Sequence, residues 1–538
     1  MSKKSLLLWI ACGVLGAVIF IIFYNSVFPV ASVNMRLSRD DARQHAFEFL
    51  SKKNFKLENF DVSIMFTSDS VASVYLQKTQ GIKKANQYSE SLPIWFWKVR
   101  LYKELEKEGF VVCIDPETGK VIACSHFLLD DAKGANLSRE EALAFAQSEL
   151  VANGISLNDY ELKEDITEKQ KYRTDYYFSW ERKGFKIADA TYRVTVAVYG
   201  DTLGSYDERL KIPEEFLREL QKETSLGDVI SMLTGIVTFL LTMFAVVTLI
   251  LNGRKHIDIA WKVMVAFGCI IFAVRILSFF NELPFRWNFY PNTLSKAVFV
   301  VGAFSQSLKS AVVYAVTIIC YGMLGLIMAQ LAGFKSMPLL DDIRKRNISV
   351  RKGVSICVVA YSLAFIFLGY ITIFYMIGGR FFNIWISPNS QYSNILSTAM
   401  PFLFPLTLAL TAAVSEELIF RLFMISFFRK WFKFGWLVLL LPALIWAFGH
   451  STYAIYPVYA RGIELTFFAI LLGVVFLKYG LETVILTHFL MNALLGALPL
   501  LHSHNPYFFI SGLVVIGLGF SPILLLIILG KTLKPAKG

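Results

Sequence analysis

The chain has 538 residues, of which 55% are hydrophobic, 15% aromatic and only 17% charged. That balance excludes an ordinary soluble domain and points to a polytopic membrane protein. The formal net charge of +12 would suggest nucleic acid in a soluble chain, but most of the basic excess lies in short loops between apolar runs, so it is read as setting membrane orientation, with no nucleic-acid partner.

Two lysines, Lys3 and Lys4, precede an apolar run from Leu6 to about Val30. A cleaved signal peptide is one reading, with Pro29-Val30-Ala31 as a cleavage-like end. The run is longer than a typical signal core, so residues 1–32 are read as an uncleaved transmembrane anchor. Residues 33–226 are polar and turn-rich, and they contain a repeat. Leu37-Ser38-Arg39-Asp40-Asp41-Ala42 recurs as Leu137-Ser138-Arg139-Glu140-Glu141-Ala142. Ser38 and Ser138 are good helix N-caps, and Glu141 completes a capping-box pattern in the second copy. Ala46 and Leu50, then Ala146 and Leu150, continue each helix. Strand patterns follow, at 94–99 and 110–112 in the first copy and at 192–198 in the second. Two helix-plus-strands units, each about a hundred residues long, are expected. The turn Asp115-Pro116-Glu117-Thr118-Gly119-Lys120-Val121 resembles the strand–turn–strand ending of PepSY-type domains, which implies a small binding or regulatory module; a plain α+β spacer is the other reading. Six cysteines do not make a disulfide framework. Cys12, Cys269, Cys320 and Cys357 fall in apolar spans, and Cys113 and Cys124 are expected to be diagonal across a hairpin, which does not favour a bond.

Apolar spans then follow near 228–251, 258–280, 310–332, 354–378, 399–428, 435–453, 462–478, 481–501 and 506–530. With the anchor they predict an all-α bundle of about ten transmembrane helices carrying an inserted extracytoplasmic α+β domain. Residues 227–396 are read as helices preceding a core at 397–530, and 531–538 as a basic tail. The more polar stretch from Thr293 to Lys309 is expected along the membrane interface. Arg254, Lys255, Arg344, Lys345, Arg346, Arg351, Lys352, Arg429, Lys430, Lys433, Lys478, Lys531, Lys534 and Lys537 fall in alternate loops. The opposite loops hold little beyond Arg286, Arg380 and Arg461. By the positive-inside rule the protein lies in the cell membrane with both termini cytoplasmic and residues 33–226 outside.

The run from Met400 to Phe428 contains Ser415-Glu416-Glu417-Leu418-Ile419-Phe420-Arg421. Each ionisable side chain near a bilayer centre costs about 2.5–3.5 kcal/mol on insertion scales, so three together call for a protein-lined interior. Glu417 and Arg421 are four apart and share a helix face. Glu416 points about a hundred degrees away and is expected to be the freer carboxylate. Trp446 and His450 lie one turn apart, as do His488 and Asn492. A carboxylate and a histidine in such a site can activate water, and a second histidine with an amide can donate to an oxyanion. A buried polar network that merely joins helices is the other reading.

Glu-Glu-x-x-x-Arg, aromatic-x-x-x-His and His-x-x-x-Asn on successive apolar segments resemble the CAAX prenyl protease type II and bacteriocin-processing family of intramembrane proteases. The resemblance covers Ser397 to Leu501, roughly a fifth of the chain. It implies that Glu416 and His450 activate water, that His488 and Asn492 stabilise the tetrahedral intermediate, and that Glu417 and Arg421 organise the site. The family's second motif usually begins with Phe; here it is Trp446, which is expected to act as an aromatic wall against substrate. Zinc on Glu416, His450 and His488, with Glu417 a further donor, is the alternative to a metal-free reaction, which is favoured. The expected partner is a hydrophobic or lipidated peptide or protein, in contact with membrane lipid. A non-catalytic peptide-binding or bacteriocin-immunity protein of the same fold, and a proton-coupled transporter, are the rival functions. Arg275 is expected to snorkel to the surface, Lys309 to anchor at the interface, His502 and His504 to flank a solvated turn, and His45, His126 and His256 to lie alone on surfaces.

Overall fold

The computed structural model describes residues 2–33, 35–89, 91–251, 261–344, 350–387 and 395–532. Arg254, Lys255, His256, Lys345, Arg346, Lys534 and Lys537 lie outside them. The chain begins with α1 (Lys3–Val27), capped by the Ser2 side chain. A sheet domain follows. It comprises α2 (Arg39–Lys52), β1 (Asp61–Ser68), α3 (Ser70–Gln80), α4 (Ile82–Tyr88), β2 (Trp95–Tyr102), β3 (Gly109–Ile114) and β4 (Val121–Phe127). Then come α5 (Arg139–Ala152), β5 (Tyr160–Lys169), β6 (Thr174–Ile187), β7 (Ala190–Tyr199) and β8 (Thr202–Lys211).

The eight strands form one antiparallel sheet in the order β1-β2-β3-β4-β8-β7-β6-β5. Each repeat is therefore a helix followed by a four-stranded meander, and the last strands of the two meanders pair. Ser38 and Ser138 both close capping boxes. In the first copy the shorter carboxylate of Asp41 closes the box as Glu141 does in the second. Ala42, Ala46 and Leu50, and their counterparts Ala142, Ala146 and Leu150, are all 0% exposed. The repeated sequence thus encodes repeated packing, each leucine contributing about 1.5–3 kcal/mol of apolar burial. The turn after β3 is tied by Asp115, whose Oδ1 accepts from the backbone of Glu117 and Thr118. Gly119 has φ +76°, and a side chain there would run into His45, which packs half-buried over the turn.

All six cysteines are free. Cys113 faces Ala123 and Cys124 faces Val112, so the two thiols are diagonal. Burial pushes both up to about 12, far from the reactive thiolate. His126 corrects a surface expectation. It is 7% exposed and stacks on Phe110 at 4.4 Å, and burial lowers its pKa, so the ring stays neutral.

The bundle consists of α6 (Glu214–Leu251), α7 (Trp261–Arg286), α8 (Lys296–Leu331), α9 (Pro338–Arg344), α10 (Val350–Phe381), α11 (Leu403–Glu416), a π-helical segment at Glu417–Ile425, α12 (Ser426–Trp431), α13 (Gly435–Phe448), α14 (Tyr459–Tyr479), α15 (Leu481–Leu501) and α16 (Pro506–Thr532). Among the described residues eight helices are long and apolar enough to cross a membrane: α1, α6, α7, α8, α10, α14, α15 and α16. The chain is a polytopic membrane protein with an α+β domain.

The other two expected spans are modified by their polar cargo. The segment 399–428 is divided where Glu416 and Glu417 meet the π-helical turns. The span at 435–453 becomes the 14-residue α13, roughly 21 Å long and short of the roughly 30 Å hydrocarbon core. The interfacial reading of Thr293–Lys309 is also corrected. Those residues begin the unbroken 36-residue α8, capped by Ser295. The half-buried Arg275 donates to Ser310 at 2.9 Å, and its guanidinium lies over Tyr314.

A single helix, α6, runs through the expected boundary at residue 226. The sheet domain is seated on the bundle by specific bonds. Arg100 donates to the carbonyls of Trp287, Asn288 and Tyr290 and to Asn292, which uses the planar fork of a guanidinium. Arg39 donates to the Thr398 carbonyl, and Gln77 accepts from the Ile386 amide in the short strand β9 (Trp385–Ile386). That strand pairs with β10 (Ile455–Tyr456). Helix α1 lies against α10. A Cβ on Gly16 would fall 2.3 Å from the Phe365 carbonyl oxygen, so only glycine permits that approach.

Candidate active site

Helix α11 carries Glu416 roughly 20 Å along from its start at Leu403. Thr411 and Ser415 return their hydroxyls to carbonyls one turn back, at 2.8 Å each, which satisfies them without water. At Glu416 the backbone changes to π geometry, a widening found mostly at functional sites. Short α13 supplies Trp446, and the turn after it supplies His450. His488 and Asn492 come from α15.

Glu417 is 0% exposed. Its Oε1 forms an ion pair with Arg421 Nη1 at 3.2 Å and lies 2.7 Å from His488 Nδ1. The sequence indicated the first contact and missed the second. Since Glu417 accepts at Nδ1, the other ring nitrogen of His488 is turned to the cavity. His450 is fixed in the same way by a carbonyl: Nδ1 donates to the Trp446 oxygen at 2.8 Å, which leaves Nε2 as the basic nitrogen. Both Nε2 atoms face Glu416 Oε2, from 3.7 Å for His450 and 4.0 Å for His488. The Glu416 side chain keeps 25% of its surface, so it is the accessible carboxylate of the pair. Trp446 joins the two halves. Its Nε1 donates to Glu416 Oε2 at 2.6 Å, and its face lies 4.2 Å under the Arg421 guanidinium.

Glu416, Trp446, His450, His488 and Asn492 line one cavity of ≈ 230 Å³, with Glu417 and Arg421 buried behind it. A water molecule's share of liquid is about 30 Å³, so several waters or a few side chains fit. Apolar walls come from Phe404, Leu408, Met491 and Leu495. The cavity continues to Tyr24, Phe28, Pro29 and Val30, where α1 hands over to the sheet domain. His502, expected in a solvated turn, instead packs its ring 5.0 Å from Tyr24.

Sequence reasoning assigned Arg461 to a loop. It is the second residue past the start of α14, it lines the cavity, and it pairs with the fully buried Glu464 at 2.6 Å. The signal available was an Arg-x-x-Glu pair at the head of an apolar run, the same anomaly that marked Glu417 and Arg421.

Trp446 does more than an aromatic wall. Trp446→Phe keeps a ring under Arg421 and removes the N–H that holds Glu416. A hydrogen bond to a charged group contributes about 1.5–3 kcal/mol, so the variant is expected to fold normally and to lose roughly ten-fold or more in kcat/KM for peptide cleavage, measured on purified protein in detergent or nanodiscs.

Residues 398–494 match the family model described as type II CAAX prenyl endopeptidase Rce1-like. Over these residues the chain is similar to the Rce1-like CAAX endopeptidases, a protease family. The match holds the Glu-Glu-Arg, Trp-His and His-Asn groups of the cavity. The Rce1-like segment is a minor part of the chain, and a second similarity spans nearly all of it. The sporulation-killing factor biosynthesis protein SkfC of Bacillus subtilis (strain 168) is 22% identical over 521 residues, which cover 93% of this chain and 96% of the relative. No solved structure matches the chain.

Proposed function

We propose that the protein is an intramembrane endopeptidase that hydrolyses a peptide bond of a hydrophobic or membrane-associated peptide, with water activated between Glu416 and His450. The observation that carries this is the convergence of Glu416 Oε2 and two imidazole Nε2 atoms at 3.7 and 4.0 Å, on the wall of a cavity beneath the sheet domain. A water between them gives its proton to Glu416 as its oxygen adds to the scissile carbonyl carbon. The carbonyl oxygen becomes an oxyanion that takes hydrogen bonds from His488 and Asn492. Glu417 behind His488 orients the ring and supports the positive charge it carries while donating, and Arg421 fixes Glu417. The proton then passes from Glu416, directly or by way of His450 Nε2, to the leaving amine as the oxyanion collapses and the C–N bond breaks.

We read the reaction as metal-free. Zinc ligands at about 2.0–2.1 Å in a tetrahedron lie roughly 3.4 Å apart, so the Glu416, His450 and His488 donors would have to close by several tenths of an ångström. Among the described residues no cluster of three or more such side chains is close enough to hold an ion. Cleavage is expected to persist at full rate after dialysis against 1,10-phenanthroline; a loss restored by zinc would reverse this part of the reading.

We propose that the substrate approaches from the extracytoplasmic side, with both termini in the cytoplasm. The reach of the cavity to α1 and the sheet domain supports this, and the basic loops support the orientation. The sheet domain, with its PepSY-like repeats, then presents or senses the peptide. Tyr24 of α1 lines the cavity, which supports the reading of residues 1–32 as a retained anchor. The name of the SkfC relative, a sporulation-killing factor biosynthesis protein, supports a role in the biosynthesis of such a factor. Substrate trapping tests the whole: Glu416→Gln protein isolated from native membranes is expected to retain intact peptides that the unmodified protein releases as fragments. Identical intact peptides on both forms would favour binding without catalysis.

A further inference from the structure

The Arg461 guanidinium is a buried cation on the cavity wall that the reaction above does not use. Its side chain keeps 18% of its surface while lining the cavity. Nη1 donates to Glu464 Oε2 at 2.6 Å. Glu464 is itself fixed, its Oε2 accepting from Tyr375 at 2.5 Å and its carbonyl from Tyr370 at 2.8 Å. Both tyrosines belong to α10, so the cation is braced by a second helix. The face of the guanidinium lies 5.3 Å from the Tyr453 ring, and that ring lies 5.4 Å from His450. Among the described residues Arg461 Nε has no hydrogen-bond partner. A guanidinium offers five N–H donors in a planar fork matched to a carboxylate, and the bond to Glu464 takes one of them.

We infer that Arg461 is the specificity determinant of this cavity, and that it takes a carboxylate of the peptide substrate, from either the chain terminus or an acidic side chain. This rests on the cavity being the substrate's. An anion seated there would complete the donor set of Arg461 beside His450. Beyond Arg461 and the Glu416, His450, His488 and Asn492 group the walls are mostly apolar, so the fork supplies orientation that they do not. Glu464 and the tyrosines hold the fork in place, and the side chain keeps 18% of its surface while lining the cavity.

The probe is a neutral-dye-labelled hexapeptide of leucine, valine and phenylalanine, prepared as the free acid, as the C-terminal amide, and as the amide with one internal aspartate. Binding is measured by fluorescence anisotropy to full-length Glu416→Gln protein in lipid nanodiscs, which cannot consume the probe. At least one carboxylate peptide is expected to bind ten-fold or more tightly than the neutral amide, and whichever does so identifies the source of the anion. Adding Arg461→Gln is expected to reduce the preference below two-fold, and Arg461→Lys to retain part of it. The double change Arg461→Gln with Glu464→Gln removes the uncompensated buried charge and is expected to behave as Arg461→Gln does. A cation that only joins helices would leave the acid-over-amide ratio unmoved. Equal binding, no detectable binding of any probe, or a preference that survives Arg461→Gln overturns the assignment. Cleavage by the unmodified protein is scored separately: an intact acid preference without cleavage removes the protease reading alone, and cleavage without an acid preference removes this one alone.

Discussion

Glu416→Gln is expected to lower peptide cleavage by about 10²–10⁴-fold, the usual range for removal of a general base, with insertion and folding intact. The amide is nearly isosteric, and its oxygen can still accept from Trp446 Nε1, which now donates at 2.6 Å. The change therefore removes the proton acceptor while leaving the clamp. Glu416 is also the carboxylate that keeps surface in the cavity, so its neutralisation leaves no fully buried ion without a partner. The measurement is single-turnover cleavage in nanodiscs, with thermal unfolding of both forms as the control. Turnover within a factor of three of the unmodified protein would end the assignment of Glu416 as base. A large loss of thermal stability would place its role in the fold.

Arg421→Met should act in the opposite way, through the fold first. Arg421 is 2% and Glu417 0% exposed. Removing the cation leaves a buried carboxylate facing only His488 Nδ1, and breaking a buried pair by one partner costs about 3–5 kcal/mol. The guanidinium also leaves the Trp446 face, so the clamp on Glu416 loosens. The expected result is a large fall in the amount of folded protein in membranes and a lower unfolding temperature. Adding Glu417→Gln neutralises the stranded charge while its oxygen still accepts from His488, and most of the stability is expected to return. Activity is not expected to follow it fully, because the neutral amide supports a charged His488 less well than the carboxylate does. Equal stability of the single and double variants would show that the pair does not act as a unit.

The polar cargo of the bundle was legible because charge in an apolar run is costly. That argument singled out Glu416, Glu417 and Arg421, and helical spacing separated the free carboxylate from the paired one. It extended to His450, His488 and Asn492, which share the cavity. Spacing did not show that Glu417 serves two partners, since the contact to His488 joins residues 71 apart and depends on how α11 and α15 pack. Nor did it show the π-helical turns, because the residues from Glu417 to Ile425 suit α and π geometry equally. Arg461 was missed for a related reason: its partner Glu464 lies within the next turn, where a charge at a helix start reads as a loop base. In the sheet domain the repeat was plain, and alternation gave strand β7. The insertion α3–α4 carries no repeat signal, and the meeting of β4 with β8 is a long-range pairing that periodicity does not encode. His126 looked like a surface residue because a single histidine in a strand gives no clue to which face is covered.

The meeting of β4 with β8 rests on three residue pairs, Ala123 with Asp207, Cys124 with Tyr206 and Ser125 with Ser205. That narrow seam makes a single continuous layer from the two repeated halves. Each half shields the other's exposed backbone edge, which alone would invite neighbouring molecules to add strands. The two halves are therefore mutually dependent: removing either would leave the other with an open, sticky strand edge.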